Sequence, residues 1–461
     1  MARSCPRAGG RRTGATWWRL VALIVTVPLL AATACSSPGP KKVHPPDSPA
    51  VTQLRWLLAS MARVPLSGQE TRAHVDAGYL ATLRPATFNQ LLQAGSQWLH
   101  AENGAALQSL RVDTNSLAIG IVAATRNRPR ARVAVTVDSH GLIANLDMGP
   151  TIRGPVPSSW AGVDAALRSV TRHPHLLVAD VSNGSCRPLH RIDADTPVPF
   201  GSVLKLYVLD ALARDVAAGK VRWDQPLTIT SRLKSVPSGV LQYEPDGTRI
   251  TVREAAARMI SISDNTATDL LINLVGRAAV EASLADAGMA DPTRDRPFLT
   301  TREAFVLAVE RWPSLARRYL AADEAGRRTL VKTADQLPLP TVSAMRALGK
   351  RGGTSPDWVA SSSDICRAYL SLMALNRRPG LSTVGRVLSL DDDALELHPN
   401  GWTATWHKGG VGSTFTSLAY LATTRTGHSY VVIVQAGNPS RPADPMAATP
   451  TILAAMKGAL S

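Results

Sequence analysis

Pro199-Phe-Gly-Ser-Val-Leu-Lys-Leu-Tyr-Val-Leu-Asp-Ala-Leu212 is the stretch on which the rest of the chain is arranged. From Ser202 onward it is almost entirely apolar and rich in helix formers, and Gly201 breaks the chain just before it. A helix therefore begins close to Ser202. A helix that is apolar on every side is buried on every side, which makes Lys205 conspicuous. At spacing i, i+3 the side chains of Ser202 and Lys205 share one helical face. Burial pulls a lysine pKa down, and a neutral amine can take a proton from a hydroxyl. A serine at a helix start also lies beside free backbone N–H groups that favour an oxyanion. The plain alternative is an N-cap serine and a lysine that snorkels to solvent.

Two further stretches bear on that choice. Ser263-Asp264-Asn265 sits between two helical segments, the first opened by the capping box Thr251-Val-Arg-Glu254 and the second closed by Gly276. Lys408-Gly409-Gly410 ends a strand-like run that starts at Trp402, and a second apolar run, Thr416 to Ala422, follows. The order S-x-x-K, S-D-N, K-x-G resembles the signature set of class A β-lactamases and penicillin-binding proteins. The resemblance covers about Trp160 to the C-terminus, and Ser-Asp-Asn-Thr-Ala-Thr-Asp-Leu-Leu (263–271) is especially class A-like. It implies an α/β (α+β) fold: an antiparallel sheet flanked by helices, with a helical lobe beside it and the active-site groove between the two.

The same resemblance implies residue roles. Ser202 is the nucleophile that forms an acyl-enzyme, and Lys205 is its base or proton relay. Ser263 passes a proton toward the leaving group, and Asn265 orients the substrate amide, while Asp264 points away and braces its loop. Lys408 supplies positive charge to Ser263 and to a substrate carboxylate. Backbone N–H groups of Ser202 and Val411 form the oxyanion hole. Gly409, Gly410, Val411 and Ser413 line the substrate side. The sequence departs from the pattern twice. Gly409 stands where a hydroxyl residue is usual, with Ser413 or Thr414 as possible replacements. No E-x-x-L-N stretch, the source of the deacylating glutamate, occurs in residues 266–400. Glu303 is the one acid of the helical stretch Thr301 to Ala347 worth testing in that role; its plain reading is an exposed first-turn glutamate.

Length and composition bound the remainder. A chain of 461 residues exceeds one ordinary core, and 45% hydrophobic residues describe a globular protein. The formal charge of +16 is partly terminal: Arg3, Arg7, Arg11, Arg12 and Arg19 lie in the first 34 residues, which hold no acid. The other basic residues are scattered, which argues against nucleic acid as a partner. Leu20 to Ala34 is an uncharged apolar segment after that basic start, an export signal too short to span a bilayer. Ala32-Thr33-Ala34-Cys35 resembles a bacterial lipobox, which implies lipidation at Cys35 and a lipoprotein on the outer face of the cytoplasmic membrane. A plain signal peptide is the alternative. Residues 35–49 carry Pro38, Pro40, Pro45, Pro46 and Pro49 and read as an extended tether. With Cys5 in the signal and Cys35 lipidated, Cys186 and Cys366 remain, either as an exported disulfide or as two buried thiols. No spacing suggests a metal, and no cofactor is expected.

Residues 50–155 read as a separate α+β unit. Helical periodicity covers Gln53 to Met61 and Ala86 to Leu99, followed by strand-like runs at 110–113, 117–125, 131–137 and 142–146. Its pattern resembles the cystatin-like or ketosteroid-isomerase-like domain that precedes a β-lactamase-like domain in certain actinobacterial proteins, one of them encoded in clavulanic acid gene clusters. No acid–base pair supports isomerase chemistry, so an accessory role is expected. The full division is then 1–34 signal, 35–49 tether, 50–155 accessory domain and 156–461 serine hydrolase domain. The expected substrate is a β-lactam, an ester or a cell-wall peptide; the alternatives are a penicillin-binding protein with slow deacylation, or a non-catalytic binding lipoprotein.

Overall fold

The structure, a computed structural model, describes residues 47–77, 79–80, 88–89, 92–93, 95–96, 99, 101, 104–114, 117–123, 130–150, 152, 155–311, 313–349, 355–390, 395, 397, 401–438 and 445–461. The signal segment, Cys35 and the tether through residue 46 lie outside the described residues. The described residues form one compact unit.

The first part holds helices α1 (Pro49–Ser60) and α2 (Gly68–His74), then strands β1 (Ala106–Thr114), β2 (Leu117–Ala123), β3 (Arg130–Val137) and β4 (Ile143–Pro150). Ser48 caps α1 by accepting from Val51 N at 3.2 Å, and Pro49 stands in the first turn, where its missing N–H costs nothing. Pro49 thus opens a helix rather than ending the tether. Helix α2 carries no apolar stripe in the sequence; Ser67 caps it and Glu70 lies in its first turn. The strands form an antiparallel meander in the order β1-β2-β3-β4. Alternation on β3 turns Val133, Val135 and Val137 toward α1, while Ala134 on the opposite face joins the large core of the rest of the chain. Within the expected 86–99 helix, the described residues 88–89, 92–93, 95–96 and 99 are helical.

The second part runs α3 (Trp160–Val170), β5 (Pro174–Asp180), β6 (Arg187–Ile192), β7 (Val198–Pro199), a 3-10 turn (Gly201–Leu204), α4 (Lys205–Ala217), β8 (Pro226–Thr228) and β9 (Arg249–Thr251). Helices α5 (Val252–Ser261), α6 (Asn265–Val275), α7 (Arg277–Asp286), α8 (Thr301–Val309), α9 (Ser314–Ala321), α10 (Glu324–Ala334) and α11 (Val342–Gly349) follow. The chain closes with β10 (Val359–Ala360), α12 (Ser362–Asn376), α13 (Thr383–Leu388), β11 (Trp402–Val411), β12 (Phe415–Thr424), β13 (Ser429–Gly437) and α14 (Pro445–Ala459). Five strands pair antiparallel in the order β11-β12-β13-β5-β6. Helices α3 and α14 cover one face, and α12, with α4 packed on it, covers the other, so the central strands β12 and β13 read as nearly continuous apolar runs. This is the expected mixture of helices and antiparallel sheet, with α5 to α11 as the helical lobe. The stretch Thr301 to Ala347 is helical but broken into four pieces.

Cys186 and Cys366 are joined, with Cα atoms 6.3 Å apart, which decides between the pair and two free thiols. The bridge ties the turn before β6 to α12, which packs against α4, the helix that opens at Lys205.

Candidate active site

Ser202 lies in the 3-10 turn and Lys205 heads α4, its backbone N–H donating to Ser202 O. Three residues per 3-10 turn eclipse positions i and i+3, so the local geometry aligns the two side chains more closely than an α-helix would. Gly201 adopts φ +53°, in the left-handed region that glycine enters freely, and this sharp entry turns the chain from β7 into the helix. Lys205 is fully buried, whereas Ser202 stays partly open.

The Lys205 ammonium position is filled from the S-D-N loop. Its Nζ lies 2.6 Å from Ser263 O, 2.9 Å from Ser263 Oγ and 2.8 Å from Asn265 Oδ1. Burial holds its pKa well below the usual lysine value, the positive charge of Lys408 pushes it further down, and Asp264 and Asp269 act the other way. Nζ is the donor in all three contacts, and the lowered pKa favours loss of one of its protons. Ser263 can hold this pose because its backbone sits at φ +55°, an uncommon conformation for a residue with a Cβ. Its neighbours pin it: Asp264 N donates to Arg258 O (3.0 Å) and Asn265 N to Ser238 O (3.0 Å).

Asp264 turns away from the lysine, as expected. Its carboxylate caps α6 through Ala267 N (2.8 Å) and accepts Val240 N (2.7 Å) and Leu241 N (3.0 Å). Gly239 makes this approach possible, since a Cβ there would lie 2.2 Å from the Asp264 carboxyl carbon. Asn265 is pinned from both ends, donating from Nδ2 to Val236 O at 2.8 Å. The braced loop runs on to Tyr243, which packs against the core of the first part and lies 6.3 Å, ring to ring, from Tyr79.

Strand β11 brings the third motif. Lys408 is buried, and its Nζ donates to Gly409 O at 2.7 Å. Gly410 packs directly on the nucleophile turn: a Cβ there would fall 2.1 Å from Phe200 O and 2.8 Å from Ser202 N. From the other side, a Cβ on Gly201 would meet Val411 N at 3.2 Å. The two backbone nitrogens expected to form the oxyanion hole therefore flank one close contact, and only glycine permits it. Gly409 is confined as well, with Leu418 at 3.3 Å from its would-be Cβ. Val411 is 53% exposed beside this contact, and Ser413 lies in the turn between β11 and β12. The structure thus gathers Ser202, Lys205, Ser263, Asn265 and the Lys408–Val411 edge around one place.

Glu303 is not the exposed residue of its plain reading. It is 2% exposed, caps α8 in a reciprocal box with Thr300, and pairs with Arg277 through both oxygens (2.6 and 3.0 Å). Its carboxylate is fully committed and carries no water-activating role. Sequence reading missed three other acids. Asp269 is buried and accepts Thr301 N (2.7 Å) and Arg302 N (2.9 Å), and burial pushes it up to about 7. Burial pushes Asp295 up to about 8, while Asp357, which borders two cavities, rises to about 7. Only Asp269 had a signal, its place inside the apolar run that follows Asn265; Asp295 ends a short 3-10 turn and Asp357 sits in a loop, neither with a pattern.

The site thus sets a serine and a buried lysine against a strand edge, in a mixed helix and antiparallel-sheet domain with a helical lobe. Residues 162–332 match the sequence model of the Beta-lactamase enzyme family. A stretch of 98 residues is 26% identical to β-lactamase VEB-1 of Pseudomonas aeruginosa, covering 21% of this chain; the chain spans about a third (33%) of the length of that relative. Similar solved structures include a β-lactamase from Sphaerobacter thermophilus, at 21% identity and TM-score 0.47, covering 66% of this chain and 97% of that one. PBP-A is another, at 17% identity and TM-score 0.43, with coverage of 66% and 96%.

Proposed function

We propose that this protein is an exported serine hydrolase that works through an acyl-enzyme on Ser202, with a β-lactam, an ester or a cell-wall peptide as substrate. The observation that carries this reading is the buried, desolvated amine of Lys205, one 3-10 turn from Ser202 and hydrogen-bonded to Ser263 Oγ. Ser202 Oγ attacks the carbonyl carbon, and its proton passes to the neutral Lys205 amine. The developing oxyanion is held by the N–H groups of Ser202 and Val411. Collapse breaks the bond to the leaving group, which takes a proton through Ser263, and the acyl group remains on Ser202. Water then cleaves that ester, restoring the serine hydroxyl and releasing an acid.

Slow deacylation is the second reading, and a specific observation favours it: Glu303 has both oxygens bound by Arg277 and no capacity left to activate water. The protein then behaves as a penicillin-binding type acceptor. The Cys186–Cys366 bridge supports an oxidising compartment, in keeping with the export signal and lipidation at Cys35. The residues 50–155 serve as an accessory unit in this reading, bearing on the S-D-N loop through Tyr243.

Nitrocefin and p-nitrophenyl acetate turnover, followed from the first seconds in wild type and Ser202→Ala, tests the proposal. A Ser202-dependent burst with a steady rate supports the hydrolase, and a burst without one supports the acceptor. No burst and no turnover leaves a binding lipoprotein.

A further inference from the structure

A cavity of about 220 Å³ lies behind the nucleophile turn, walled by the 3-10 turn Pro292–Asp295, helices α9 and α10, and strand β10. Three residues in its wall carry a buried polar atom with no hydrogen-bond partner among the described residues: Asp295 Oδ2, Arg327 Nε and Trp358 Nε1. Asp295 is 5% and Trp358 6% exposed. A buried polar group without a partner costs stability, so three around one cavity mark a place built to be filled by something that hydrogen-bonds.

The chemistry of the three is one-sided. An indole N–H and a guanidinium N–H only donate. Asp295 already accepts Val359 N at 3.0 Å, and burial raises its pKa to about 8, which favours the protonated form, whose second oxygen can donate. Arg327 is the free cation of the wall: its guanidinium lies 5.5 Å over the Tyr319 ring, donates to Arg294 O at 3.1 Å, and forms no ion pair among the described residues, while Asp357, also in the wall, is pushed up to about 7 by burial. Pro297, Leu299 and Leu320 supply the apolar remainder of the lining. We propose that this cavity is a binding site for a small carboxylate on an apolar body, its anionic oxygens facing Arg327, Trp358 and Asp295.

The site lies close to the nucleophile turn. Trp358 O accepts Phe200 N at 3.2 Å, and Val359 pairs with Pro199, the last residue of the strand that leads to Ser202. A bound carboxylate therefore stiffens the strand pair on which the nucleophile turn rests. The proposal does not depend on Ser202 being a nucleophile.

Thermal melting and isothermal titration of the full chain with sodium benzoate, and with benzylamine as its cationic counterpart, test it. Benzoate at roughly 100-fold over its Kd raises the wild-type Tm by several degrees with one site per chain. Arg327→Gln, whose side-chain contacts among the described residues are Arg294 O and the Tyr319 ring, folds normally and binds benzoate at least about tenfold more weakly. Leu320→Trp, at a partly exposed wall position, fills the cavity and abolishes the shift. The absence of a benzoate shift, or a shift that survives both substitutions, means that the cavity holds water only and overturns the proposal. So does a response to benzylamine in place of benzoate.

Discussion

Gly410→Ala is the sharpest perturbation this structure offers. The added methyl carbon falls 2.1 Å from Phe200 O, 2.8 Å from Ser202 N and 3.1 Å from Val203 N, where ordinary contact begins at 3.4 Å. All three neighbours are backbone, so no side chain can swing aside; strand β11 and the nucleophile turn must part by more than an ångström. Overpacking of this kind costs about 1–3 kcal/mol of stability. The effect on chemistry is larger, because the same contact sets Ser202 N against Val411 N. Displacing one oxyanion donor costs about a hundred- to a thousandfold in rate, or roughly 3–4 kcal/mol. The assay is the rate at which an alkyl fluorophosphonate labels Ser202, which needs no knowledge of the natural substrate. Gly458→Ala in α14 is the control: its methyl would lie 2.3 Å from Pro157 O, a comparable clash on the opposite side of the sheet. That variant loses Tm but keeps its labelling rate per folded molecule. If Gly410→Ala labels as fast as wild type, the strand edge does not form the oxyanion hole and the reasoning fails.

Further outcomes follow from other parts of the site. Lys205→Met slows Ser202 labelling by about a hundred- to ten-thousandfold, and in wild type the rate levels off with rising pH well below the ordinary lysine value; a rate still climbing at pH 10 contradicts a depressed Lys205. Asp269, Asp295 and Asp357 titrate near 7, 8 and 7 when folded and near 3.8 when unfolded, so the native state holds the extra protons between those values. The stability these three acids contribute is then fully present near pH 4 and falls as pH rises through 8, so Asp295→Asn loses part of that decline; a Tm–pH slope unchanged by Asp295→Asn refutes it. Reduction of Cys186–Cys366, which closes a loop of 180 residues, costs up to about 5 kcal/mol by chain entropy and is read as a lower denaturation midpoint; an unchanged midpoint is the contrary result. Tyr79→Ala loosens the contact with Tyr243 and slows labelling while leaving the disulfide and secondary structure intact.

What the sequence made legible is what repeats locally. The start of the nucleophile helix, the Thr251 capping box and the final strands all stand where periodicity and turn chemistry put them, because each is stabilised by its own residues. The site residues were legible as an ordered set, since Ser202, Ser263 and Lys408 each sit in a distinctive local frame. Other features depend on residues far away in the chain. Glu303 reads as a surface acid until Arg277, 26 residues earlier, closes on it. The burial of Asp295 and Asp357 follows from β10 pairing with β7, a two-residue ladder that leaves no periodic signal. Why glycine stands at 409 and 410 is likewise tertiary: Leu418 and the backbone at 200–203 occupy the space a side chain would need.

The account rests on one serine being made reactive by one buried amine. Peptide mapping of the fluorophosphonate-treated protein measures that directly, in wild type, Ser202→Ala and Lys205→Met. The adduct is expected on the peptide that contains Ser202, absent from the first variant and strongly slowed in the second. Labelling elsewhere, or equal labelling in all three proteins, would contradict it.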